Sequence, residues 1–344
     1  MDSRPAPAHF ETARELALTE PWVDVHAHPG RCFLGGMGDS PVAEMLGGDA
    51  SSDAVAAVAA SAVTAASFAT VADLLVLGVS PEGGISATRD FEPGEAAADH
   101  ERQLRALVEL AGRPDTRMIL TAADYAASQQ EDQVGMLLCA EGGDFLEGSL
   151  EGLAPAHNRG LRSVTLVHYH VNELGDIQTE PARHGGLTPF GTEVVEAMNE
   201  LGMIVDLAHA TWDVTRMAID VSTDPVMISH SHLMNRHEAH PRLLTDEHAR
   251  AVADTGGVIG AWPAGFALVD MEDFVTEIIE MIDVAGSEHV AVGTDMDANY
   301  QPVLTDYDQF EELAARLLAR GTLPDTVARV MGRNMVRLTR DVCG

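Results

Sequence analysis

Lysine is missing altogether: all 21 basic residues in the 344-residue chain are arginine. That absence excludes a Schiff base, a pyridoxal phosphate linkage, a phosphate-cradling Walker lysine and a carboxylated lysine between two metals. A side chain that bridges metals here must be a carboxylate. Positive charge of any kind is scarce, since 54 acidic residues against 21 basic ones leave a formal net charge of −33. Such a surface repels nucleic acid and anionic membranes, so neither partner is expected. Cysteine is scarce as well. Cys32, Cys139 and Cys343 are odd in number and lack paired spacing, which argues against a disulfide framework or a cysteine zinc knuckle. No run approaches the roughly 18 apolar residues of a membrane span, and the opening Met-Asp-Ser-Arg-Pro-Ala-Pro-Ala-His-Phe carries no contiguous apolar signal core. A soluble, cytoplasmic protein is the expectation.

What is present is an alternation. With 46% hydrophobic residues the chain can bury one large core, and a single domain over 1–344 is expected. Short apolar runs near 22–27, 72–79, 136–141, 161–168, 203–209, 225–230, 256–262 and 289–295 alternate with segments of helical period, the pattern of a parallel sheet with crossover helices. Helices are expected at the alanine-rich 53–69, then at 95–112, 191–201, 213–221, 246–255, 272–285, 307–320 and 324–338. Eight such repeats predict an α/β fold of the (β/α)8 TIM-barrel type, with a metal site at the C-terminal ends of the strands. Long connections at 29–51 and 169–191 are read as site loops.

The ends of those runs carry the chemistry. Asp24-Val25-His26-Ala27-His28 closes the first run with two histidines at i and i+2, which on a strand share one face. Two imidazoles on one face make half of a zinc site. Later runs end in Glu141, His168, His209, His230 and Asp295. The set predicts His26, His28, Glu141, His209 and His230 as metal ligands, although His28 could instead turn outward beyond the strand. Glu141 is the carboxylate best placed to bridge, and the glycines after it also suit a plain strand-to-loop turn. A bridging carboxylate holds two divalent ions roughly 3.5–4 Å apart, close enough to share one hydroxide. Asp295, in Gly-Thr-Asp-Met-Asp, is suited to shuttle a proton; helix capping is its alternative role, better suited to Asp297.

Taken together, these motifs resemble the membrane dipeptidase (renal dipeptidase) family, the M19 metallopeptidases of the amidohydrolase-like barrels. The resemblance runs from about residue 15 to 339. Its carriers are Trp-Val-Asp-Val-His-Ala-His at 22–28, Ala-Glu-Gly-Gly at 140–143, Thr-Leu-Val-His at 165–168, Gly-Leu-Thr-Pro-Phe-Gly at 186–191 and Val-Asp-Leu-Ala-His at 205–209. Further on stand Ile-Ser-His-Ser at 228–231, His-Pro-Arg-Leu-Leu-Thr-Asp-Glu at 240–247, Gly-Thr-Asp-Met-Asp at 293–297 and the closing Gly-Arg-Asn-Met-Val-Arg at 332–337. The resemblance implies two Zn2+ ions bridged by Glu141, one held by His26 and residue 28 and the other by His209 and His230. It implies His168 as the group that binds the substrate and stabilises its oxyanion, Arg242 as the clamp on its terminal carboxylate, and Asp295 as the proton shuttle.

Three positions depart from the family pattern. His28 stands where the family usually has aspartate, Leu243 rather than asparagine follows Arg242, and Ala298-Asn299 replaces a glycine continuation. The implied activity is hydrolysis of the amide bond of a dipeptide or dipeptide-like small molecule by a metal-bridging hydroxide. A metal-dependent amidohydrolase acting on another small amide or lactone is the alternative, and a non-catalytic barrel with a binding or maturation role is a third. The sequence does not fix the oligomeric state, for which a homodimer is the working expectation.

Overall fold

The computed structural model describes residues 4–38, 41–79, 84–234, 240–266 and 268–344. Residues 39 and 40 of the first predicted site loop lie outside the described residues. The strands in chain order are β1 (Val23–Asp24), β2 (Ala65–Val71), β3 (Leu77–Val79), β4 (Ile85–Ala87), β5 (Thr116–Met118), β6 (Val134–Glu141), β7 (Leu161–Thr165), β8 (Ile204–Asp206), β9 (Met227–Ser231), β10 (Val258–Ala261) and β11 (Val290–Val292).

Eight of these close a parallel barrel. Pairing runs β1–β2–β6–β7–β8–β9–β10–β11 and returns to β1 through Asp24 against Val292. β5 lies outside the ring, paired to the first residues of β6 on the edge whose later residues pair with β7. β3 and β4 form a separate antiparallel hairpin. The predicted (β/α)8 barrel is therefore present, with helices including Glu95–Ala111, Pro189–Leu201, Trp212–Val221, Asp246–Asp254, Met271–Ala285 and Gln309–Ala319 around it.

One strand is not where the pattern put it. The second barrel strand is Ala65–Val71, which overlaps the segment 53–69 expected to be helical, and the helix there stops at Ala59. All seven residues of β2 are buried. Alanine favours helix by intrinsic propensity, but a strand covered on both faces and paired to β1 and β6 is chosen by packing. The expected run 72–79 instead makes a 3-10 turn at Leu74–Val76 and the start of the hairpin. The helix expected at 324–338 comes in pieces, Pro324–Ala328 and Asn334–Cys343, joined by a widened turn. At that turn a Cβ on Gly332 would lie 1.9 Å from the carbonyl oxygen of Pro21. Only a glycine lets the closing helix touch the chain entering β1.

Beneath the site the strands crowd similarly. A Cβ on Gly260 of β10 or on Gly293 after β11 would lie 1.8 or 1.9 Å from the Ser229 carbonyl oxygen. Among the described residues no helix is long and apolar enough to cross a membrane.

Candidate metal centre

Every predicted site residue reaches one buried cluster at the C-terminal ends of the strands. Glu141 is the last residue of β6 and His230 lies in β9; His26, His168, His209 and Asp295 follow the ends of β1, β7, β8 and β11 by two or three residues. The chain beyond these strands turns sharply. His209 and Asp295 adopt left-handed φ of 64° and 53°, a conformation that non-glycine residues enter at a cost and that concentrates at functional sites. His26 and His28 lie just beyond β1, where the chain bends yet still pairs with its neighbours, the His28 N–H donating to the Met296 carbonyl and the Asp295 N–H to the His26 carbonyl, and both rings turn inward, edge to face at 5.2 Å.

Glu141 is the hub. Its Oε2 lies 3.1 Å from His28 Nε2 and 3.4 Å from His168 Nε2. Its Oε1 lies 3.3 Å from His26 Nε2, 3.1 Å from His209 Nε2 and 3.6 Å from His230 Nε2. His26, His28 and Glu141 form one group of converging donor atoms; Glu141, His209 and His230 form another. His26 belongs to the first group yet shares an oxygen with the second, and its ring stacks on His230 at 4.2 Å.

The donor set fits divalent cations. Ligand atoms about 2.0–2.1 Å from a tetrahedral ion stand roughly 3.3–3.4 Å from one another, the scale of the separations around Glu141. His28 Nδ1 donates to the Ala69 carbonyl at 3.1 Å, so in the neutral ring the Nε2 lone pair faces a carboxylate. A proton or a metal ion must stand between them. Accordingly the His28 pKa is raised well above the ordinary imidazole value: burial opposes the charge, but Cys32, Glu141 and Asp295 outweigh it. His26 Nε2 is buried with no hydrogen-bond partner among the described residues, and a buried unpaired nitrogen aimed at a carboxylate calls for a cation. His209 and His230 present their Nε2 atoms to each other at 3.1 Å, and both pKa values are driven well below the ordinary value. Burial is the main cause, followed by Arg242 for His209 and by His26 for His230.

Two buried aspartates position these histidines. Asp24 accepts from the backbone N–H and hydroxyl of Thr294 and from the N–H of His26, tying β1 to the chain that carries Asp295. Asp206 accepts from Thr165 at 2.6 Å and from the N–H groups of Ala208 and Ser229 at 3.1 and 2.9 Å, setting the chain just before His209 and His230.

His168 is oriented by Asp73, whose Oδ1 accepts from Nδ1 at 2.7 Å while Oδ2 accepts from the N–H of Tyr169 at 2.9 Å. Burial works against its protonation, but Asp73 and Glu141 raise its pKa to about 9. Asp295 lies 3.5 Å from His28 Nε2 and 4.0 Å from His26 Nε2. Burial pushes its carboxyl pKa up, with His28 opposing. Arg242 is buried, only 2% exposed. Its Nη1 donates to Gln178 at 2.7 Å, its Nη2 lies 3.2 Å from Nε2 of both His209 and His230, and its guanidinium sits 5.1 Å from the Trp262 ring centre.

Sequence reading missed Asp73, Gln178, Trp262 and the scaffold role of Asp206. Asp206 and Trp262 had a signal, each standing at or near the end of an apolar run; Asp73 lay inside a run read as a strand, and Gln178 on a loop.

The chain belongs to the membrane dipeptidase family, peptidase family M19, whose model matches residues 52–343. Dipeptidase aclJ of Aspergillus oryzae is 32% identical over 223 residues, 61% of this chain and 52% of that one. Dipeptidase tcpJ of Claviceps purpurea is 31% identical over 244 residues, 68% of this chain and 55% of that one. The chain thus spans about half the length of the curated relatives it matches. Among solved structures, the probable dipeptidase PvdM from Pseudomonas aeruginosa superposes with a TM-score of 0.81 at 17% identity, covering 98% of this chain and 99% of that one. A metallo peptidase from Rhodobacter sphaeroides, solved with a phosphinate mimic of the dipeptide L-Ala-D-Ala, gives 0.73 at 20% identity over 94% and 99%. Both share the fold.

Proposed function

We propose that this chain is a zinc dipeptidase holding two ions bridged by Glu141, with His26 and His28 on one and His209 and His230 on the other. The observation that carries the reading is the convergence of four histidines and a second carboxylate, Asp295, around one buried glutamate in a member of this family. When bound, such ions supply Lewis acidity and bring the pKa of water toward neutrality. The chain's own residues do the rest. His168, held by Asp73, offers its Nε2–H to the carbonyl oxygen as charge develops there. Asp295, its basicity raised by burial, takes a proton from the attacking water and returns it to the departing amine. Arg242, which meets no carboxylate among the described residues, clamps the terminal carboxylate of the substrate. We further read residues 1–344 as one domain working in the cytoplasm, consistent with its three unpaired cysteines.

Elemental analysis of the purified protein should find about two zinc ions per chain, and chelation should abolish hydrolysis of free dipeptides. Asp295→Asn should keep the metal and lower kcat by roughly 10²–10⁴-fold. Full activity after exhaustive chelation would overturn the reading.

A further inference from the structure

An aromatic path leads from the candidate centre to solvent. Trp262 directly follows β10; its ring lies 5.5 Å from that of His230 and 5.1 Å from the Arg242 guanidinium. Phe266 follows at 5.3 Å from Trp262, and Tyr300 stacks on Phe266 at 5.2 Å with an interplanar angle of 24°. Exposure rises along the path, from 3% at Trp262 through 39% at Phe266 to 54% at Tyr300. The wall is built, because the loops that follow β10 and β11 are joined: the Gly265 N–H donates to the Tyr300 carbonyl and the Val303 N–H to the Pro263 carbonyl, both at 2.9 Å. A Cβ on Gly265 would lie 2.4 Å from the Gln301 carbonyl oxygen, so glycine permits the contact. At the inner end the buried Trp262 indole N–H has no acceptor among the described residues, and a buried donor without a partner marks a place where a ligand can supply one.

We infer that Trp262, Phe266 and Tyr300 form the subsite for the C-terminal side chain of the substrate, and that this chain selects dipeptides ending in an aromatic or large apolar residue. The inference rests on the dipeptidase reading. In a dipeptide the C-terminal side chain branches from the carbon that bears the carboxylate, so a carboxylate held at Arg242 brings that side chain beside Trp262. A ring placed there continues the aromatic stack and removes apolar surface from water. An alanine methyl reaches little of the path.

The test uses the metal-loaded protein with Ala-Phe and Ala-Ala, comparing kcat/KM, and with the corresponding phosphinate mimics, comparing Kd. The native protein should favour the phenylalanine member of each pair by roughly 10-fold or more. Phe266→Ala should collapse that ratio by roughly 10-fold, Tyr300→Ala by less, and Phe266→Leu should restore part of it. Because the readout is a ratio, partial loss of folded protein cancels. A native ratio near one, or a ratio unmoved by Phe266→Ala, would overturn the subsite. Mimics that bind with the expected ratio to a protein that hydrolyses neither dipeptide would sink the dipeptidase reading and leave the subsite standing.

Discussion

The two sides of the candidate centre share a scaffold and differ in charge. On each, a buried aspartate at a strand end, Asp24 or Asp206, accepts from a threonine and from backbone N–H groups near the histidines. The His26/His28 side faces carboxylates, with Asp295 added to Glu141. The His209/His230 side faces a guanidinium. The same ring type is pushed in opposite directions: on His28 the partners Cys32, Glu141 and Asp295 outweigh burial and favour the charged form, whereas burial, with Arg242 adding to it, drives His209 and His230 toward the neutral one. On the proposed reading, the difference in fixed charge divides the work: the acidic side suits proton transfer at Asp295, and the cationic side suits anchoring a substrate anion.

Removing the shared hub should erase the comparison. Glu141→Gln replaces a bridging carboxylate with a neutral amide, so metal content should fall on both sides and dipeptide turnover should drop by more than roughly 10³-fold, checked by elemental analysis beside kinetics. Retention of two ions would show that the histidines alone hold them. Arg242→Ala tests the cationic side alone. A charge-assisted bidentate contact contributes on the order of 1.5–3 kcal/mol, so kcat/KM for free dipeptides should fall roughly 10–150-fold while dipeptide amides, poor substrates already, change little. Equal cleavage of acids and amides by the native protein would favour an amidohydrolase of other small amides.

The scaffolds can be broken separately. Asp206→Asn should weaken one of two metal-binding steps by roughly 10–100-fold, and Asp24→Asn the other, because partners that orient ligands tune affinity by that amount. Metal titration of both variants decides it; one identical weakened step in each would mean that the two sides act as a single unit.

A last comparison serves as a control away from the centre. His100, buried, stacked on Phe145 at 3.9 Å and bonded to Thr70, has its pKa lowered to about 3, chiefly by burial and then by Arg159. The folded ring stays neutral while the unfolded one takes a proton below about pH 6.5, so this stabilisation is complete above that pH and is lost as pH falls toward 3. By about pH 4.5 the loss amounts to roughly 2–3 kcal/mol. In chelator-treated protein, the decline in unfolding free energy between about pH 7 and 4.5 should shrink by that amount in His100→Gln.

The barrel and the gathering of the candidate residues at one mouth were legible because both rest on local order. Alternating apolar runs make parallel strands, and strands of one barrel deliver their last residues to one mouth, so His26, Glu141, His209 and His230 could be read together before any distance was known. The second strand was not legible: Ala65–Val71 has the composition of a helix, and only burial between β1 and β6 makes it a strand. Asp73 was lost with it, since a carboxylate two residues beyond an unrecognised strand has no visible relation to His168, 95 positions away.

By itself the sequence determined the fold class, through the period of its apolar residues, and the residue types that meet at the candidate centre, through the absence of lysine and the recurrence of histidine and carboxylate at run ends. The tertiary structure alone decided which side of that centre is acidic and which cationic, how Asp73, Asp24 and Asp206 orient the imidazoles, and that Trp262, Phe266 and Tyr300 line one path. Those relations join residues on different loops, and a contact made across a barrel mouth depends on where closure places the loops, which no local period encodes.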